Sequence, residues 1–243
     1  MIPTPTYNES AYLDTLSKEA TEHFIETTHE LYAKKCGKRI GKSIQGIFTD
    51  EPHRGALMTG FSVPNREPQM LAPYTDDLFD CFKKAFGYDL RDRLPELFLR
   101  KDGKYYAKVK WQYTELLTEL FIKNFMKPYH GWCKDHDLLF TGHMLHEDRL
   151  SYQVSTNGSV MRCYEHMDVP GVDTLCNHNY AYCIVKQLSS VARQTGKKHL
   201  MSELNGCTGW QMRFSDYKGI GDWQAIMGIN LRCPHLSWYT MQG

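Results

Sequence analysis

The feature that most constrains this chain is a rhythm in its second half, where short apolar runs repeatedly give way to polar or acidic residues. The runs are Leu138-Leu139-Phe140-Thr141 before His143, Val172 before Asp173, His199-Leu200-Met201 before Glu203, and Ile229 to Cys233 before His235. Asp173 and Glu203 are 30 residues apart, and Glu203 and His235 are 32 apart. A strand with its return helix occupies about 30 residues. Between the second and third runs the spacing predicts a helix from about Tyr180 to Thr195, with Val185, Leu188 and Ala192 on one face and Gly196 at its end. Strand and helix alternating at this period predict a parallel sheet.

The first half adds one more strand. Ile44-Gln45-Gly46-Ile47-Phe48 is a β-rich run that stops at Thr49-Asp50-Glu51-Pro52 and delivers two acids to a loop. Before it, Ser17 is placed to cap a helix from about Lys18 to Cys36, which Gly37 ends. From Glu67 to Asp135 the pattern is helical: Asp76 to Phe86 closed by Gly87, a turn near Leu94-Pro95, then a long amphipathic stretch from about Tyr105 to Lys134. Being far longer than an ordinary strand-to-helix connection, this insertion is expected to form part of one rim of the site.

A doubly wound sheet shares the alternation, but it usually carries a glycine-rich phosphate loop after its first strand. The chain has neither GxGxxG nor a Walker motif. Acids and histidines recur instead at the end of strand after strand, where a (β/α)8 barrel keeps its active site. The expected fold is therefore α/β, a (β/α)8 TIM-type barrel. Five strands are readable where eight are needed, so the barrel is expected to be incomplete. It is read as one catalytic domain over residues 1–243, with a helical insertion at about 67–135.

Composition excludes several classes. Lys plus Arg (29) nearly cancels Asp plus Glu (28), which gives no basic stripe for nucleic acid and no attraction to an anionic membrane. No apolar run approaches the roughly 20 residues that cross a bilayer, and Met1-Ile2-Pro3-Thr4-Pro5 lacks the basic and apolar regions of a signal peptide. The eight cysteines form no CxxC pair and read as reduced, packed thiols, which points to a cytoplasmic setting.

A neutral substrate and strand-end acids suggest glycoside hydrolysis, in which one carboxyl protonates the leaving oxygen and a second acts as base or nucleophile. Glu51, followed by Pro52, suits a general acid whose pKa partial burial raises. Glu203 and Asp173 are the candidates for the second role. Asp50, His143, Glu147, His178 and His235 are candidate substrate-binding residues, and Trp210, reached from Glu203 through Leu204 to Gly209, could stack on a sugar face. A metal-dependent hydrolase is the rival reading, since His143, His146, Glu147, Asp173 and His235 are good ligand types. The order His-x-x-His-Glu, however, is neither HExxH nor its inverse. A carbohydrate-binding barrel without activity is the third reading.

These residues also resemble a known group. Tyr12-Leu13-Asp14, Gly46 to Pro52, Gly87-Tyr88-Asp89-Leu90, Leu94-Pro95-Glu96-Leu97, Thr141-Gly142-His143, Val169 to Asp173 and Ser202-Glu203 resemble segments of bacterial glycoside-hydrolase-like proteins, distant relatives of the glycoside hydrolase family 106 α-L-rhamnosidases. The resemblance implies that Glu51 takes the place of the Glu in that family's Asp-Ser-Trp-Glu motif, the general acid. It further implies that Glu203 matches a later strand-end Glu. Pro170-Gly171-Val172-Asp173 corresponds to a Pro-Glu-x-Glu segment, with Asp at the last position. It implies no organic cofactor, though such relatives can use calcium.

Overall fold

The computed structural model describes residues 12–55, 72–176 and 181–235. Ser17 Oγ accepts a hydrogen bond from Ala20 N–H at 3.2 Å and so opens α1 (Lys18–Phe24). One π-helical turn (Ile25–His29) joins α1 to α2 (Glu30–Cys36), which Gly37 ends. The chain then enters β1 (Gly46–Asp50).

The insertion begins with α3 (Leu78–Phe86), which stops where Gly87 takes φ 81. A 3-10 turn (Leu90–Arg93) and α4 (Pro95–Phe98) follow. Next comes a small antiparallel hairpin, β2 (Arg100–Lys101) with β3 (Lys104–Tyr105), which the helical reading of this region did not foresee. α5 (Ala107–Phe121), a π turn (Ile122–Met126) and α6 (Lys127–Asp135) then run as one long helix. This helix crosses over the sheet, and its Thr114 and Thr118 bond Arg54 beside the Glu51 loop. Phe121, Phe125 and Tyr129 stack in succession along it, and Tyr129 packs on Phe140 of the sheet with ring centroids 4.8 Å apart.

The expected alternation follows: β4 (Leu139–His143), α7 (Leu150–Thr156), α8 (Val160–Tyr164), β5 (Val169–Thr174), α9 (Tyr182–Thr195), β6 (Met201–Leu204), α10 (Phe214–Met227) and β7 (Leu231–Pro234). The five longer strands form one parallel sheet in the order β1-β4-β5-β6-β7, a curled half-barrel. Side chains alternate across a strand, and the register sorts them. Ile47, Phe140, Val172, Ser202 and Leu204 face the helices, and the last four are essentially inaccessible. Phe48, Asp50, Leu139, Thr141, His143, Asp173, Glu203, Leu231 and Cys233 line the inner face. Phe48, Leu139 and Leu231 are exposed there.

Val185, Leu188 and Ala192 are buried on α9 as its periodicity requires. All eight cysteines are free, and none of the described helices is long and apolar enough to cross a membrane.

Candidate active site at the strand ends

The inner face places acids level with one another at the C-terminal ends of the strands. Asp50 pairs in register with His143, and Asp173 with Glu203. His143 is the centre of the group. It is 1% exposed, and its Nε2 lies 2.9 Å from Glu203 Oε2 and 3.4 Å from Asp50 Oδ1. The ring must donate, because a carboxylate only accepts. Phe48 closes over the imidazole edge-on at 5.5 Å.

Glu51 leaves β1 with φ 48, in the left-handed region that side chains other than glycine rarely occupy. That turn directs its carboxyl towards Asp173 and His143. One ligand-type atom from each of these three lies within 4.8 Å of the others.

Crowding of carboxyls in a partly buried place sets their protonation. Burial raises the pKa of Glu51, with Asp50 and Glu203 adding to the shift and His143 opposing it. Burial likewise pushes Asp173 up to about 6, aided by Glu203, Glu51 and Asp50 and resisted by His143. Burial alone would lower the pKa of His143, but Glu147, Glu203 and Asp173 outweigh it and the net shift is upward. Asp173 Oδ1 and His143 Nδ1 are both buried without a hydrogen-bond partner among the described residues.

Glu147 sits beneath the group and is 3% exposed. Its carboxylate accepts from Met144 N–H at 3.0 Å, from Asp173 N–H at 2.9 Å and from Tyr164 O–H. Burial pushes it up to about 7, against those donors and His143. Trp210 is 83% exposed on the loop leading to α10. His235 follows β7, and its N–H donates to Leu204 O at 2.8 Å. His178 lies outside the described residues.

Two participants escaped the sequence reading. Tyr164 reaches Glu147 from α8. Arg54, 1% exposed, anchors the Glu51 loop through Thr114 O (2.9 Å), Thr118 Oγ1 (3.0 Å) and Val154 O. Neither has a signal in sequence, since both partnerships join residues brought together only by the fold.

Asp50, His143 and Glu203 form a second group with ligand-type atoms within 4.8 Å of one another. Both groups rely on the same imidazole, whereas calcium takes six to eight oxygens. Among the described residues neither group by itself supplies that many oxygens. Mixed nitrogen and oxygen donors suit a zinc-type ion better.

No family model matches this chain, and no curated protein does. Among solved structures, a rhamnosidase from Novosphingobium sp. PP1Y superposes with a TM-score of 0.72 at 20% identity, over 96% of this chain and 22% of that one. The chain thus spans about a fifth of the rhamnosidase's length. The likeness shows a shared fold, an α/β half-barrel of the kind the resemblance to rhamnosidases implies.

Proposed function

We propose that this chain carries the catalytic acids of a glycoside hydrolase that cleaves a glycosidic bond by carboxylate acid–base catalysis, with α-L-rhamnosides the first substrates to try. The observation that carries this reading is the convergence of Asp50, Glu51, Asp173 and Glu203 around His143 on the inner face of the sheet. The rhamnosidase fold likeness supports it. Full closure as a (β/α)8 barrel would take three more strand–helix units, added at the sheet edges formed by β1 and β7.

In this mechanism Glu51, whose burial favours the protonated form, gives its proton to the leaving oxygen. Glu203, oriented by His143, takes a proton from the water that attacks the anomeric carbon. The products are a free sugar and an alcohol, and Glu51 is left as carboxylate until it exchanges protons with Glu203 through solvent. Asp173 supports a second version. One oxygen of Asp173 and one of Glu51 lie within 4.8 Å of each other, closer than the roughly 6.5 to 9.5 Å that admits a water. There Asp173 would be the nucleophile.

A panel of aryl glycosides that includes an α-L-rhamnoside tests the activity, and the first-formed anomer, read by proton NMR, separates the versions. Inversion favours Glu203 and retention favours Asp173. A metal-dependent hydrolase on the same residues would instead lose its activity to EDTA and regain it with zinc. A carbohydrate-binding barrel would bind sugars and hydrolyse none.

A further inference from the structure

The seam between β4 and β5 is the most weakly paired in the sheet, and side-chain carboxylates bond its flanks. Only two register pairs cross it, Thr141 with Val169 and Gly142 with Pro170, against five between β1 and β4 and four between β5 and β6. Pro170 also brings no N–H to a ladder. Where the strands part, their backbone donors need other acceptors. On the near side, Phe140 N–H donates to Asp168 Oδ2 at 2.9 Å. On the far side, Met144 N–H donates to Glu147 Oε1 at 3.0 Å and Asp173 N–H donates to Glu147 Oε2 at 2.9 Å.

The position of Glu147 is itself fixed. His146 takes φ 56 and turns the chain back, Gln153 Nε2 donates to the Glu147 carbonyl at 2.7 Å, and the fully buried Tyr164 donates its hydroxyl to Oε1. One carboxylate therefore spans the end of β4 and the N–H of a candidate catalytic residue on β5.

We propose that Glu147 is a positioning residue of the candidate active site, its carboxylate replacing the missing rungs of the β4–β5 ladder and so holding Asp173 and His143 where they meet Glu51 and Glu203. The proposal rests on the glycosidase reading of that site. Its chemical logic is that three donors converge on the carboxylate, the form present above about pH 7, which has nothing but acceptors. A glutamine of nearly the same shape cannot serve, because whichever way the amide is turned its NH2 faces a donor. Glu147→Gln therefore breaks the splice. Tyr164→Phe removes one donor and leaves both backbone bonds intact. A general loss of buried hydrogen bonding would make the two variants alike.

The test is amide hydrogen exchange and steady-state kinetics on the full chain, with an aryl glycoside as probe. In Glu147→Gln, the Asp173 or Met144 amide should exchange about 5- to 100-fold faster, the range expected for a buried group left unsatisfied. Leu204, which lies away from the seam on β6, should be unchanged. kcat should fall at least roughly tenfold with KM within about twofold, as when reacting groups are misplaced without loss of binding. In Tyr164→Phe both amides should exchange within about threefold of wild type, since both backbone bonds to Glu147 remain, and kcat should fall less than in Glu147→Gln. Should Glu147→Gln fail to fold, Glu147→Asp gives the same readout, since it keeps the charge and loses the reach to Asp173. If the wild-type chain hydrolyses no glycoside, the functional reading fails and the exchange data alone judge the splice. Wild-type protection of both amides in the Glu147 variants, or equal effects of Glu147→Gln and Tyr164→Phe, would overturn the proposal.

Discussion

His143 on β4 and Glu203 on β6 meet at 2.9 Å across the intervening strand β5. In a flat sheet, strands two apart lie nearly 10 Å from each other. Curling of the sheet and the reach of both side chains close that gap, so the contact reports the curvature as well as the site. His143 is also the cation that Asp50, Glu51, Asp173 and Glu203 share. His143→Ala should leave those carboxylates to repel one another and cost roughly 3 to 5 kcal/mol at pH 6, as for a broken buried pair. At pH 9, towards the loss of the imidazole's proton, the cost should be smaller. Urea unfolding at the two pH values measures it, and an equal loss at both would refute the shared role.

Glu51→Gln should lower kcat on a competent glycoside by roughly 10² to 10⁴, the worth of a general acid. Because the acid must be protonated, wild-type activity should fall as pH rises through the raised pKa of Glu51. The variant should lack that alkaline limb. Glu51→Gly should be equally inactive yet more stable by about 1 kcal/mol, since φ 48 strains a side-chain-bearing residue and not glycine. A thermal melt without that gain would argue that the left-handed turn stores no strain.

What the sequence revealed and what it hid have physical reasons. Strand ends were legible because an apolar run must stop where its backbone leaves the core, and Asp173 and Glu203 fall level because their spacing matches one repeat. The caps at Ser17, Gly87 and Gly196 were legible because each is a local conformational demand. The helical insertion hid its hairpin, since Arg100 to Tyr105 is short and polar and gives no period to read. The depth of Glu147 was equally invisible. A carboxylate beside His143 looks like a ligand to a reader of spacing, and only the fold sets Tyr164, Met144 and Asp173 around it.

Stability should fall as pH rises from about 4.5 to about 7. Glu147 is pushed up to about 7 and Asp173 to about 6 by burial, so the folded chain holds protons that the unfolded chain has released. Their contribution is complete below the unfolded carboxyl values and is lost as pH climbs through the folded ones. His143, also raised, has the same sign, because its stabilisation is complete below its unfolded value and is lost through the folded one. Carboxyls with lowered pKa, such as Asp89 at about 2, act in the opposite sense but only in the acid range below this window. The urea midpoint should be higher at pH 5 than at pH 7.5, and Glu147→Gln should flatten the slope. A wild-type midpoint that rises over this range would contradict the burial argument.

Two glycines should respond oppositely to alanine. Gly142 sits opposite Thr49 in the β1–β4 ladder with φ 145, and an added Cβ would fall 2.1 Å from Thr49 O. That atom is backbone in a paired strand and cannot move aside cheaply. Gly142→Ala should therefore displace β1, carry Asp50 and Glu51 away from His143, and cost more than about 3 kcal/mol. Gly131 lies within α6, and a Cβ there would meet nothing within 4 Å. Gly131→Ala should stabilise by about 0.5 to 1 kcal/mol through helix propensity and a less flexible unfolded chain. Urea denaturation of both variants reads the contrast directly. If Gly142→Ala melted with the wild type, the close approach of β4 to β1 that brings Asp50 and Glu51 to the shared imidazole would have to be abandoned.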